Sequence, residues 1–212
     1  MRIALIMDAS QSGKNELVWN VLQEAAERTG HTVDNYGQYG PDSHQVTTNT
    51  NAILASTLIA GGAADFIVSG CGTGVGACMS LNAMPNLLCG LVSNPMEVKL
   101  FLQKVGGNCV SFPYAKGFGW GGEVNLRHMV DLLFKALAPG LAQPEEAEAL
   151  EVLRALKRAS AKGIEEILTQ VDPALVRQAF GGPRTMQLFD AYCQDQKLAQ
   201  TLHALLDSER MG

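Results

Sequence analysis

The stretch Phe66-Ile67-Val68-Ser69-Gly70-Cys71-Gly72-Thr73-Gly74-Val75-Gly76 constrains what this chain can fold into more than any other. An apolar run reads as a strand, ends in a cysteine and opens into a glycine-rich turn. A helix-like segment, Ala77 to Ala83, follows at once. Glycines at such a turn let backbone N–H groups approach a bound oxygen, and the helix N-terminus adds positive potential. A thiol placed there tends toward a lowered pKa and serves as nucleophile or base. No Lys-Ser or Lys-Thr follows the last glycine, so the turn is not a Walker A loop. Nor does Gly72-x-Gly74-x-Gly76 have the spacing of the dinucleotide fingerprint. The residues by themselves specify an oxyanion-binding turn carrying a thiol; a small buried structural cysteine is the alternative reading.

Around that stretch, strand and helix signals alternate through the first 138 residues. Strand candidates are Arg2–Met7, Thr32–Asn35, Phe66–Ser69, Leu87–Val92 and Cys109–Phe112. Between and after them lie helical stretches at Asn15–Thr29, Thr47–Ala60, Val75–Ala83, Pro95–Lys104 and Glu123–Leu137. Leu17, Val21, Leu22 and Ala25 give the first helix an apolar stripe at helical spacing. The alternation predicts an α/β fold with a five-stranded parallel sheet and helices on both faces. Ligands of such sheets bind beyond the carboxyl ends of the strands. Asp8, Cys71, Ser93-Asn94 and the loop from Pro113 to Trp120 all fall at those ends.

The pattern breaks at Ala138-Pro139-Gly140, followed by Gln143-Pro144 and Glu145-Glu146. Beyond it the chain reads as helical only, with helices at Glu145–Ala159, Gly163–Val171, Pro173–Phe180 and Thr185–Leu206. We therefore divide the chain into an α/β domain, 1–138, and an all-helical C-terminal extension, 139–212. Ala149, Val152, Leu153 and Leu156 form one apolar stripe there; Leu188, Tyr192, Leu198, Leu202 and Leu205 form another. Such stripes predict packing against the first domain or a partner subunit.

Composition excludes several classes. A net charge of −5 argues against a nucleic-acid binder. No run approaches the ~20 apolar residues of a membrane span, and Asp8 interrupts the apolar start too early for a secretory signal. Five irregularly spaced cysteines give no disulfide framework, and no Cys or His pattern reads as a metal site. The expected location is the cytoplasm.

Gly70-Cys71-Gly72-Thr73-Gly74-Val75-Gly76 with Asn82 downstream resembles the signature of the ribose-5-phosphate isomerase type B and galactose-6-phosphate isomerase family. Asp8, Ala60-Gly61-Gly62 with Asp65, Ser93-x-Pro95 and Asn108 support the resemblance, which covers about residues 1–138. It implies a Rossmann-like three-layer α/β/α sandwich, a homodimer or dimer of dimers with active sites at the subunit interface, and aldose–ketose isomerisation without cofactor or metal. By the same resemblance Cys71 is the base, Gly72, Gly74, Val75, Gly76 and Thr73 hold the enediolate oxygen, and Asp8, Asn82 and Asn108 line the sugar site.

This chain also departs from the family pattern. Asp8-Ala9 stands where many members carry Asp-His, and Lys104 falls on a second family histidine. His44 is the loop residue able to replace a lost acid. Asn82-Ala83 replaces an Asn-Lys pair, and Leu88 stands where an arginine is expected. Two substrates follow: a sugar phosphate such as ribose-5-phosphate, held by Lys116 and arginines of the extension, or an unphosphorylated sugar acid such as a deoxy-hexosulose uronate. A thiol oxidoreductase using Cys78 as resolving partner and a non-catalytic sugar-binding module are the readings from other classes.

Overall fold

Side chains along the first strand alternate between two buried faces, Ala4 and Ile6 on one, Ile3, Leu5 and Met7 on the other. A strand buried on both faces belongs in the middle of a covered parallel sheet. In the computed structural model, which describes residues 1–137 and 147–207, β1 (Arg2–Met7) does lie there. With β2 (Thr32–Asn35), β3 (Phe66–Cys71), β4 (Cys89–Leu91) and β5 (Cys109–Pro113) it forms one parallel sheet in the order β2-β1-β3-β5-β4. The chain passes from β1 to β2 on one side and returns to β3 on the other. The topological switch point, where open α/β sheets bind ligands, is therefore between the carboxyl ends of β1 and β3.

Helices α1 (Asn15–Thr29), α4 (Pro95–Leu100) and α5 (Gly122–Leu137) cover one face; α2 (Thr48–Ala60) and α3 (Val75–Ala83) cover the other. The second face carries a further layer. After residues 138–146, α6 (Ala147–Ser160) is followed by α7 (Ile164–Gln170), α8 (Pro173–Phe180), α9 (Thr185–Tyr192) and α10 (Gln196–Asp207). Ile164, Leu168, Val176, Phe180, Phe189 and Leu202 share a core with Leu54 and Leu58 of α2. That explains why α2 is buried on every side from Thr50 to Leu58: it is covered by the sheet on one side and by α7 and α8 on the other. The boundary expected at Ala138–Gly140 lies outside the described residues, as does the expected helix start at Glu145.

Three of the boundaries that differ from the sequence reading have a local cause. β4 is shorter than Leu87–Val92, because side chains occupy its flanking groups: the Leu88 amide donates to Asn108 Oδ1 (2.9 Å) and the Cys89 amide to Asn82 Oδ1 (3.0 Å). The helix expected over Pro95–Lys104 becomes a π-helical turn at Phe101–Val105, closed by Gly106 at φ 63°. The helix expected over Thr185–Leu206 is two, broken at Cys193-Gln194-Asp195. There the Gln194 amide donates to the Gly61 carbonyl (2.5 Å), and Asp195 Oδ1 accepts from the Leu198 amide (3.0 Å). Among the described residues no helix is long and apolar enough to cross a membrane.

Candidate active site

The site is built from the ends of β1, β3 and β5. Met7 lies opposite Gly70 in the ladder, and Cys71 opposite Pro113. Asp8 and Cys71 thus leave adjacent strands at the switch point, and both are nearly buried at 9% exposure. Two glycines shape the turn. A Cβ on Gly70 would lie 2.2 Å from the Phe112 carbonyl oxygen. Gly74, the residue before α3, has φ 75°, and a Cβ there would lie 2.6 Å from Leu91 Cδ1. Ser111 Oγ donates to the Gly74 carbonyl (2.7 Å) and ties the turn to β5.

α3 then runs back from the turn, with Gly76 of its first turn beside the sulfur. A Cβ on Gly76 would stand 3.9 Å from Cys71 Sγ. The amides of Gly72, Thr73 and Gly76 have no backbone partner among the described residues. That of Val75 donates to Thr73 Oγ1 (3.3 Å). Unfilled donors of this kind at a helix start suit a developing oxyanion. On the β1 side, Asp8 Oδ1 accepts from the Ser10 amide (3.0 Å) and hydroxyl (2.5 Å), so one carboxylate oxygen caps the 3₁₀ turn Ala9–Lys14.

That turn contributes two side chains that the sequence reading did not single out. Gln11 Nε2 lies 3.4 Å from where a Gly72 Cβ would be. Lys14 Nζ donates to Gln11 Oε1 (2.7 Å) and the Tyr114 carbonyl (2.6 Å), and sits 4.5 Å from the Phe118 ring centroid. Burial pushes the Lys14 ammonium below the ordinary lysine value, against the opposing charge of Glu123. A lysine one helical turn past the first strand end, followed by a helix, is the signal that was present in the sequence.

The other predicted site residues are distributed over the molecule. Asn108 precedes β5 at the amino edge of the sheet; its amide bonds the Leu88 N–H and the Asn86 carbonyl (2.7 Å). Cys109 lies opposite Ile67, four positions before Cys71, which separates the two edges by about 13 Å. Asn82, near the end of α3, joins the helix to β4 through the Cys89 carbonyl (2.9 Å) and amide. Lys104 is exposed in the π-helical turn. His44 Nε2 pairs with the Gln178 carbonyl, and its ring lies against Gly181. Lys116 is exposed in the loop after β5, beside Trp120, which is 93% exposed. Cys78 bonds the Cys89 carbonyl at 3.5 Å; the Cys89 thiol and burial push its pKa up, which disfavours the thiolate a resolving cysteine needs. Glu123 accepts from the Gly119 amide (2.6 Å), fastening the loop to the start of α5. Among the described residues no group of three or more His, Cys, Asp or Glu side chains converges to hold a metal.

Five arginines lie away from the turn. Arg2 stands by Asp34 (3.6 Å) and over the Tyr192 ring, Arg28 and Arg127 pair with Asp131 and Glu24, and Arg154 and Arg158 line a cavity at the amino edge.

Residues 3–130 match the family model described as Ribose/Galactose Isomerase, and residues 159–205 match one described as Ribose-5-phosphate isomerase. No curated protein matches the chain. Two solved structures are similar over nearly all of it. A 4-deoxy-L-threo-5-hexosulose-uronate ketol-isomerase complexed with a tartrate is 36% identical, with 98% of this chain and 100% of that one covered and a TM-score of 0.91. A ribose-5-phosphate isomerase from Vibrio parahaemolyticus is 37% identical, with 97% and 99% covered and the same TM-score of 0.91. The type B ribose 5-phosphate isomerase of Trypanosoma brucei shares the fold at 19% identity, with 73% and 97% covered and a TM-score of 0.61. With the thiol, the glycine turn and the parallel sheet in place, the chain belongs to the ribose/galactose isomerase family and is an isomerase of the aldose–ketose type.

Proposed function

We propose that this protein is a cofactor-independent ketol isomerase of a small sugar acid, with Cys71 as the base. Moving a carbonyl between neighbouring carbons requires removal of a proton from the carbon beside it. The Cys71 thiolate takes that proton, and the C–H electrons move onto the carbonyl oxygen to give a cis-enediolate. The amides of Gly72, Thr73 and Gly76 hold the negative oxygen, at ~2.7–4 kcal/mol per donor on the oxyanion-hole scale. The carbon-bound proton returns to the other carbon while the hydroxyl proton passes to the first oxygen, so the reaction balances without an external oxidant or reductant. Asp8 Oδ2 and the Thr73 hydroxyl meet sugar hydroxyls.

The observation that carries the substrate class is Lys14, a single half-buried ammonium at the carboxyl edge beside the Cys71 turn. One cation suits a carboxylate, whereas a phosphate dianion is held best by bidentate arginines. Similarity to the hexosulose-uronate ketol-isomerase supports this reading. The second reading, a sugar phosphate such as ribose-5-phosphate, is supported by similarity to the Vibrio enzyme.

The working unit is a homodimer. Val75 and Met79 of α3 are exposed, and Leu91 of the edge strand β4 lies against the glycine turn. These residues give an apolar surface beside the site that a second copy would cover.

The test is solvent deuterium exchange at C1 or C2, followed by NMR, on ribose-5-phosphate, allose-6-phosphate, galactose-6-phosphate and a 4-deoxy-hexosulose uronate. Exchange on the uronate that falls at least a thousandfold in Cys71→Ser supports the proposal. Cys71-dependent exchange on a phosphate ester alone replaces the substrate class. Binding of any of them without turnover by the wild type would sink the enzyme mechanism.

A further inference from the structure

Opposite the catalytic edge, α6 and the amino ends of β4 and β5 enclose a second cavity of about 440 Å³, a size typical of small-molecule sites. Four cationic side chains line it: Arg154, Lys157, Arg158 and Lys162. They recur at helical spacing, so they form one stripe of α6 and the turn after it.

This stripe lines the cavity, with Arg154 and Lys157 half-buried and Arg158 and Lys162 exposed, while Val152, Leu153 and Leu156 are left in solvent, Leu156 at 62% exposure. A surface helix ordinarily does the reverse. Gathering four cations around one cavity costs mutual repulsion, which oppositely charged partners must offset. Two of the four have such partners: Arg154 pairs with Glu151 (2.5 Å) and Lys162 with Glu166 (2.9 Å). Lys157 donates to a neutral group, the Asn82 carbonyl. Arg158 has no acidic partner among the described residues. Burial alone pushes the Lys157 ammonium below the ordinary lysine value, with no carboxylate acting against it. Ile59, Pro85 and Leu88 supply an apolar wall across from the cations, and Asn86 adds an amide.

We propose that this amino-edge cavity binds a small organic phosphate, its anionic group between Lys157 and Arg158 and its body against the Ile59–Leu88 wall. A guanidinium fork and an ammonium are the donor set that a phosphate oxygen cluster takes. The site lies across the sheet from Cys71 in the same chain and does not rest on the isomerase reading.

Calorimetric titration of the full chain with inorganic pyrophosphate at ~150 mM salt, near physiological ionic strength, tests it. The wild type is expected to saturate at one ion per chain. Lys157→Gln/Arg158→Gln is expected to weaken binding at least tenfold, and Arg158→Lys to fall between the two. Lys14→Ala, which alters the Cys71 edge, is expected to bind as the wild type does. Unfolding curves verify that each variant is folded, and Arg158→Lys keeps the test open should the double variant fail. An absence of saturable binding by the wild type overturns the proposal. So does unchanged affinity in both cavity variants, or loss confined to Lys14→Ala.

Discussion

A lysine ammonium is costly to take out of water, and Lys14 is kept at the carboxyl edge by two acceptors, Gln11 Oε1 and the Tyr114 carbonyl. If it anchors the substrate's anionic group, Lys14→Ala removes one charge-assisted contact of ~1.5–3 kcal/mol. KM should rise roughly 10- to 150-fold, with a smaller change in kcat. The pH dependence follows from the direction of its shift. Burial lowers the lysine pKa, with Glu123 opposing, so the positive charge is lost at a pH below the ordinary 10.5. The alkaline limb of kcat/KM should therefore begin below 10.5, and Lys14→Arg, which stays charged, should move it upward. Initial-rate pH profiles of wild type and variant check this; superimposable alkaline limbs would remove Lys14 from the site. Cys71 and its glycines were legible in the sequence because turn chemistry is local. Lys14 was not, since its acceptor on Tyr114 lies 100 residues away.

At the scale of elements, α3 supplies the glycine turn at one end and is tied down at the other. Asn82 makes that tie through both backbone groups of Cys89. Asn82→Ala would strip two hydrogen bonds and leave those groups to find other partners, a loss of about 2–3 kcal/mol on the scale of such deletions. A lower melting temperature with KM within twofold of wild type is the expected result. A large rise in KM at unchanged stability would restore the sugar-contact role that the resemblance implies. An asparagine that bonds backbone and one that bonds a sugar look alike in sequence. The break at Cys193–Asp195 was invisible for the same reason, because the Gln194 amide leaves the helix for the carbonyl of Gly61.

Over the whole molecule, the helices after residue 147 share a core with the α/β sandwich. Phe189 is fully buried, and its ring meets Phe180 edge-on at 5.9 Å, in the cluster that holds α2. Phe189→Ala should cost ~3–5 kcal/mol. Denaturant titration should show one cooperative transition moved to lower concentration, rather than an early step followed by an unchanged one. The proposed dimer has its own test. Met79→Glu places a charge on the exposed apolar surface of α3, and sedimentation should report a shift toward half the wild-type mass, with turnover falling in parallel. An unchanged mass would overturn the proposed dimer surface.

Two things were settled by local chemistry and so could be read without coordinates: the alternation of strand and helix that gives a covered parallel sheet, and the strand–Cys–glycine-turn–helix unit that puts a sulfur among unfilled amides. Both depend on near neighbours along the chain. Tertiary structure alone decided that Asn82 and Asn108 lie toward the edge opposite Cys71, that His44 meets α8, that Lys14 reaches the turn, and that the cations of α6 line a cavity. Each of these depends on which edge of the sheet an element end reaches and on which distant backbone group its side chain meets. Residue type and spacing carry neither.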